Sequence, residues 1–473
     1  MFKCSDLRER WAAPQGYREV LRVGLPLLAG MASTTVMQFT DRLFLSHYSL
    51  ETIAAATPAM MASMTLQMTF YGICSYASVL AAQYTGARAF QRVGPAVWQG
   101  FWCALLCSIL LFGACFMADF IFSLAGHEEE VRLLEAQYFI VLTGGASIAL
   151  FSAALSAYFF GLGRPKPIMW ANIVSALVNI LLDYMLIFGK FGAPELGIMG
   201  AGLATVAGWL STLLILAVLV FRPENDRIYH VLRGWRPESG LFFRLLRFGL
   251  PGGAQFFVEF MGMTWFMFEL GRLGKIDMAA SNIVFAINSI TFMPMLGLNM
   301  AVSALAGQAM GRRKPVEAEK VTMSALHLAF AYMICGALLI ILFAGELMDV
   351  FQGSAGHTLA DDFVQVRATG IILLYYVALY SVVDAANLVF FGALKGVGDT
   401  MMEMKIIVFC VAGCLLLPMG ILRLGDWVSL HRIWMVFTAY IFALALCVTL
   451  RFRGHKWREI RVIEQTKQES AGI

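Results

Sequence analysis

The sequence predicts an all-α polytopic membrane protein with twelve transmembrane helices in two pseudo-symmetric six-helix lobes. Three observations carry this. Of the 473 residues, 59% are hydrophobic and 14% charged, against about 45–50% and about 25% in an ordinary soluble domain. Uncharged stretches of bilayer-crossing length recur from one end of the chain to the other. The second half of the chain also repeats the first.

Nine helices are read as runs free of Asp, Glu, Lys and Arg. The first to fourth are Val23 to Thr40, Thr52 to Ala87, Val93 to Ala118 and Ala136 to Gly163, and the sixth is Leu196 to Phe221. The eighth and ninth are Met278 to Gly311 and Val321 to Gly345, and the last two are Ile406 to Leu422 and Ile433 to Leu450. Each is close to or above the roughly 18 to 20 apolar residues that span a hydrocarbon core. Three more reach that length around a single acid: Pro167 to Phe188 with Asp183, Phe248 to Phe268 with Glu259, and Ala368 to Leu394 with Asp384. Barrel strands would alternate in polarity over about ten residues, and no segment does.

Charge sets the orientation. With the N-terminus inside, 27 of the 35 Lys and Arg fall on cytoplasmic segments, the asymmetry of the positive-inside rule. Both termini are therefore expected in the cytoplasm of a multi-pass plasma (inner) membrane protein. Lys3, Arg8 and Arg10 precede no short apolar core, so no removable signal peptide is expected. A net charge of +4, spread between apolar runs, excludes a nucleic-acid surface. The nine cysteines lie almost entirely inside helices. Cys103 with Cys107, and Cys410 with Cys414, are one turn apart and read as small buried hydrophobes.

A shift of 225 superimposes Leu21 to Pro26 (LRVGLP) on Leu246 to Pro251 (LRFGLP), Gln83 on Gln308, and Gly86 on Gly311. Six spans per half give both halves the same orientation, a parallel repeat about an axis along the membrane normal. The expected organisation is a tail (1–15), an N-lobe (16–222), a polar linker (223–244), a C-lobe (245–452) and a second tail (453–473). Such lobes facing a cavity suit a transporter, and a monomer in the lipid bilayer is expected.

Acids within lipid cost at least about 2.5–3.5 kcal/mol and mark ion or substrate paths. Asp41, Asp183, Glu259 and Asp384 are the candidates. Asn179 stands four residues before Asp183, and Tyr380 four before Asp384, so each pair shares a helix face. An amide beside a carboxylate offers hard oxygens to Na+ or frames a protonated acid. A phenol there donates to the carboxylate or stacks on a cationic ligand. Asp41 also adjoins Arg42, a ready ion-pair partner. Asp119 and Glu269, near helix ends, read as solvated, and His327 as a satisfied core residue. Pro26 and Pro251, equivalent in the repeat, kink their helices or are inherited structural features. No GxxxxGK[ST] loop supplies ATP, and no HExxH or GxSxG motif supplies catalysis, leaving an ion gradient as the energy source.

Together the paired GLP openings, the two Gln-x-x-Gly turns, GLGRPKP (Gly161 to Pro167) with its counterpart LKGVGDT (Leu394 to Thr400), and FGAPELGIMGAGLAT (Phe191 to Thr205) resemble the multidrug and toxic compound extrusion (MATE) transporters, NorM-like branch. The likeness covers roughly residues 15 to 452. It implies an antiporter, with no cofactor, that exports small cationic aromatic compounds for Na+ or H+. It implies a cation site of Asp41, Asn179 and Asp183, coupling roles for Glu259, Tyr380 and Asp384, and a helix at Pro26 that bends during the cycle. Within the same superfamily a lipid-linked precursor flippase is the alternative, and an intramembrane enzyme a more distant one. A flippase would carry cations in its cavity, whereas the charges embedded here are acidic.

Overall fold

A computed structural model describes residues 11, 13, 15–123, 129–351 and 360–464, so most of the N-terminal tail and the end of the C-terminal one lie outside the described residues. The helices are α1 (Tyr17–Tyr48), α2 (Leu50–Cys74), α3 (Ala77–Gly86), α4 (Val93–Cys115), α5 (Ala118–Ser123), α6 (Glu129–Gly161), α7 (Lys166–Phe188), α8 (Ile198–Val220) and α9 (Pro223–Tyr229). They continue with α10 (Ser239–Leu273), α11 (Lys275–Gly311), α12 (Pro315–Leu342), α13 (Ala344–Asp349), α14 (Ala360–Val397), α15 (Thr400–Cys410), α16 (Leu417–Leu424) and α17 (Leu430–Arg453). Among the described residues, ten spans are long and apolar enough to cross a membrane by length and composition. The other two of the expected twelve are α2 continued by α3, rich in Thr and Ser, and α10, which carries Arg244, Arg247 and Glu259.

Large apolar side chains such as Leu110, Leu177, Val218, Ile290, Leu338 and Leu446 stand more than half exposed. Water would penalise so much open apolar surface, and lipid does not.

The helices gather into two compact units. One holds Leu25–Phe257, Gly307–Lys314 and the residues from Arg461 on. Here α6 packs on α2, α4 and α8, and α7 lies along α8. Helix α7 starts with Pro167 in its first turn and stops at Gly189, whose left-handed backbone (φ 63°) caps it, a conformation that glycine takes without strain. The linker is docked on α4 by hydrogen bonds: Trp98 Nε1 donates to the Val231 carbonyl (2.6 Å) and Trp102 Nε1 to that of Trp235 (2.9 Å). Glu464 accepts from Arg92 (2.7 Å), Tyr84 (3.1 Å) and Arg244.

Asp226 holds the turn inside the linker, accepting the backbone amides of Leu232 (2.7 Å) and Arg233 (3.1 Å). Burial alone would raise its pKa, but those two amides and the Arg233 charge hold it below the usual carboxylate value. Its stabilisation is therefore full above the unfolded value, about 3.9, and is lost as pH falls through the lower folded value. Asp226→Ala should speed hydrogen exchange of the Leu232 and Arg233 amides about tenfold at neutral pH, the order one hydrogen bond commands. In the wild-type chain a like loss of protection, taken relative to the intrinsic exchange rate at each pH, should appear only in strong acid. Mass spectrometry of the exchanged linker peptide would measure both.

The other unit holds the residues up to Gly24, with Val258–Ala306 and Pro315–Ile460. Helix α14 is its centre, packed on α12 and α17. His327 Nδ1 and the Tyr17 hydroxyl are 3.0 Å apart, so this histidine is the satisfied residue expected. Glu269, read as solvated, is instead buried between Arg272 (3.0 Å) and Arg423 (3.3 Å). Arg423 arrives from a helix end more than 150 positions away, beyond the reach of local spacing. A π-turn, Val411–Leu416, precedes Pro418. Proline cannot donate to the carbonyl four residues back and collides with it, and a wider turn relieves both faults.

Candidate functional site

Asp41, Asn179 and Asp183 come together inside the first unit, all buried. Asn179 and Asp183 share the inward face of α7, as their spacing predicts. Thr205 on α8 joins them: its hydroxyl accepts from Asn179 Nδ2 and donates to Asp41 Oδ2, each at 3.4 Å. Gly208, one turn further along α8, lets the two helices approach this closely, because a Cβ there would lie 3.0 Å from Ser175 Oγ and 3.4 Å from Asn179 Cβ.

The Asp41 and Asp183 carboxyls lie against each other. Among the described residues, no hydrogen donor reaches Asp41 Oδ1, either oxygen of Asp183, or Asn179 Oδ1. Buried oxygens without donors are costly, and two ionised carboxylates about 4 Å apart repel by about 4 kcal/mol at an effective dielectric constant near 20. A cation held among these four oxygens removes both penalties, either a proton shared between the acids or a hard metal ion such as Na+. Arg42 is exposed, and the closest partners of Asp41 are Asp183, Asn179 and Thr205. Tyr138 on α6 is buried where both acids act on it. Neither Thr205 nor Tyr138 stands out in the sequence as a site residue, although Thr205 closes the Phe191 to Thr205 motif.

The second set lies within the other unit. Asp384 is half-buried and accepts from Asn387 Nδ2 at 3.0 Å, and the same amide donates to the Ile441 carbonyl at 3.3 Å. Tyr380 is buried on the same face of α14, and among the described residues its hydroxyl has no hydrogen-bond partner and Asn387 Oδ1 receives no donor. The Phe437 ring meets Tyr380 edge-on at 5.7 Å and Tyr440 at 6.1 Å. Glu259 and Asp384 both act electrostatically on Tyr440, so α10, α14 and α17 bring two acids around one phenol. Asn387 and Tyr440 were not legible as partners: the first looks like any helix amide, and the second is supplied by a helix remote in sequence.

Pro26 and Pro251 each lie inside a continuous helix. Helix α1 passes from one unit to the other between Gly24 and Leu25, next to Pro26, and α10 does so between Phe257 and Val258.

Comparison with known proteins agrees with this arrangement. The MatE family model matches residues 26–185 and 251–421, covering α1 to α7 and α10 to α16. A probable multidrug resistance protein NorM from Bradyrhizobium diazoefficiens is 28% identical over 439 residues, 92% of each chain. Its namesake from Brucella suis is 29% identical over 442 residues, again 92% of each. Among solved structures, a MOP superfamily transporter from Pyrococcus furiosus superposes with a TM-score of 0.83 at 20% identity, covering 97% of this chain and 100% of its own.

Proposed function

We propose that this chain, which belongs to the MatE family, is a multidrug efflux transporter that exports small organic cations in exchange for Na+ or H+. It is a multi-pass membrane protein and a transporter rather than an enzyme. The observation that carries the exchange is the set of four donor-free buried oxygens on Asp41, Asn179 and Asp183. A cation bound there and a drug bound elsewhere favour opposite-facing states, so each promotes release of the other through its differential affinity. Pro26 and Pro251 are the proposed flexure points. Half-buried Met60, Met64 and Met68 offer the soft, adaptable surface that accepts flat cations of varied shape. The chain is placed in the plasma (inner) membrane with both termini cytoplasmic, acting as a monomer.

We further propose that both acid sets load a cation. Exchange of one monovalent cation for one monovalent drug moves no net charge and draws only on the chemical gradient. Loading both sets moves one extra charge inward, adding about 2.3 kcal/mol per 100 mV. Asp384→Asn should therefore leave export responsive to the ion gradient but insensitive to membrane potential. The assay is ethidium transport in vesicles under Na+ and proton gradients imposed separately, each with and without a potential. Export that ignores both gradients in the wild-type chain would refute exchange. Potential dependence surviving in Asp384→Asn would refute two-site loading.

A further inference from the structure

Outside both acid sets, three cysteines converge. Cys74 ends α2, and Cys103 and Cys107 occupy successive turns of α4. Their three sulfurs lie within 4.8 Å of one another, with Cys74 Sγ 3.7 Å from Cys103 Sγ, and all three residues are buried. The backbone fixes this meeting. Helix α2 stops at Cys74, where the ladder tightens and the Tyr76 amide donates to the Ile73 carbonyl three residues back at 3.2 Å. Gly100 keeps α4 tight against the start of α3, since a Cβ there would lie 2.8 Å from that of Ala77. Among the described residues, the titratable groups that act on Cys103 and Cys107 are the other cysteines of the trio.

We propose that Cys74, Cys103 and Cys107 form a trithiol site for a trivalent metalloid hydroxide, As(OH)3 or its antimony counterpart. Soft sulfur ligands select soft, thiophilic centres. Charge then decides among those centres, because no basic group among the described residues acts on Cys103 or Cys107 to neutralise a buried complex. Three thiolates on Cu+ carry a net charge of minus two, and on Zn2+ minus one. Three thiols reacting with As(OH)3 break three S–H and three As–O bonds, form three As–S bonds and release three waters. Arsenic stays trivalent, and the product is neutral, as its buried surroundings require. The small neutral hydroxide also enters an apolar interior at less cost than a metal cation does.

The test uses the purified full chain in detergent, incubated with arsenite and then desalted. Elemental analysis should find one arsenic per chain, and X-ray absorption should find three sulfur neighbours. Cys107→Ser should weaken retention about a hundredfold, the order by which losing one tethered contact lowers overall affinity. Cys74→Ala should do the same, and both variants should elute monodisperse like the wild type. Cys410 lies near Cys414 and Cys447 in the other unit, so Cys410→Ser with Cys414→Ser is the control that should change nothing. The proposal is overturned if the wild-type chain retains no arsenic, if oxygen completes the arsenic shell, or if the control pair alone abolishes retention. Tighter retention of Zn2+ than of arsenite would overturn the charge argument with it.

Discussion

Asp183→Asn is expected to reduce gradient-driven ethidium export to the passive leak, while the variant inserts and elutes like the wild-type chain. Asparagine keeps the shape and one oxygen, but it removes the charge that lets the cluster exchange its cation. The side chain is wholly buried and lies against Asp41, so no water substitutes for the lost carboxylate. Stability gives a readout independent of transport. A ligand at 100 times its Kd stabilises a protein by about 2.7 kcal/mol, so the wild-type melting temperature should rise with the coupling cation. In Asp183→Asn that rise should shrink to the part that the Glu259 and Asp384 set contributes. In Na+-free, strongly alkaline buffer, where no shared proton remains, the variant should be at least as stable as the wild type, because removing one of two contacting ionised carboxylates relieves repulsion of about 4 kcal/mol. Efflux in vesicles and melting across a cation titration would check both. A variant that still concentrates ethidium, or whose melting temperature rises with the cation as steeply as the wild type's, would show that Asp183 does not hold the coupling ion.

The acids themselves were legible because lipid makes them expensive: Asp183 interrupts a run that otherwise has every property of a spanning helix. Helical spacing also put Asn179 beside it. The rest of the cluster was not legible, for a physical reason. Thr205 and Tyr138 approach from α8 and α6, and which faces those helices present is set by packing at Gly208 and around Tyr138 rather than by local periodicity. Arg42 misleads in the opposite direction, since adjacency in sequence on a helix points two side chains about 100° apart. Asp41 accordingly turns inward while Arg42 stays exposed. Glu269 repeats the lesson, because its burial depends on Arg423 arriving from a distant helix end. The cysteines do so too: their one-turn spacing was visible, but Cys74, which completes the trio, comes from another helix. Spans and embedded charges are one-dimensional properties of the chain, whereas their partners are three-dimensional ones.

The Gln-x-x-Gly turns carry the second large effect. The repeat set Gly86 and Gly311 at equivalent positions, and the fold crosses the two turns against each other within one unit. A Cβ on Gly86 would lie 2.0 Å from the Gln308 carbonyl oxygen, and a Cβ on Gly311 would lie 2.0 Å from that of Gln83. Gln308 Nε2 also donates to the Gly161 carbonyl at 2.8 Å, tying the turn to the end of α6. The obstacle is backbone on both sides, so no rotamer change makes room and one helix must move. Gly86→Ala and Gly311→Ala should each destabilise the chain by about 3 kcal/mol, the upper range for overpacked interiors. Gly113→Ala in α4, where the added Cβ meets nothing within 4 Å, should be neutral or stabilising by up to about 1 kcal/mol through helix propensity. The two damaging substitutions push apart the same pair of turns, so the displacement forced by the first already accommodates the second. The double variant should therefore cost less than the sum of the single ones, a coupling of the kind neighbouring sites show. Denaturant unfolding of the four variants in one detergent would measure this. A cost below about 1 kcal/mol for either single variant would mean the turns do not cross this closely, and strict additivity would mean that they do not share a contact.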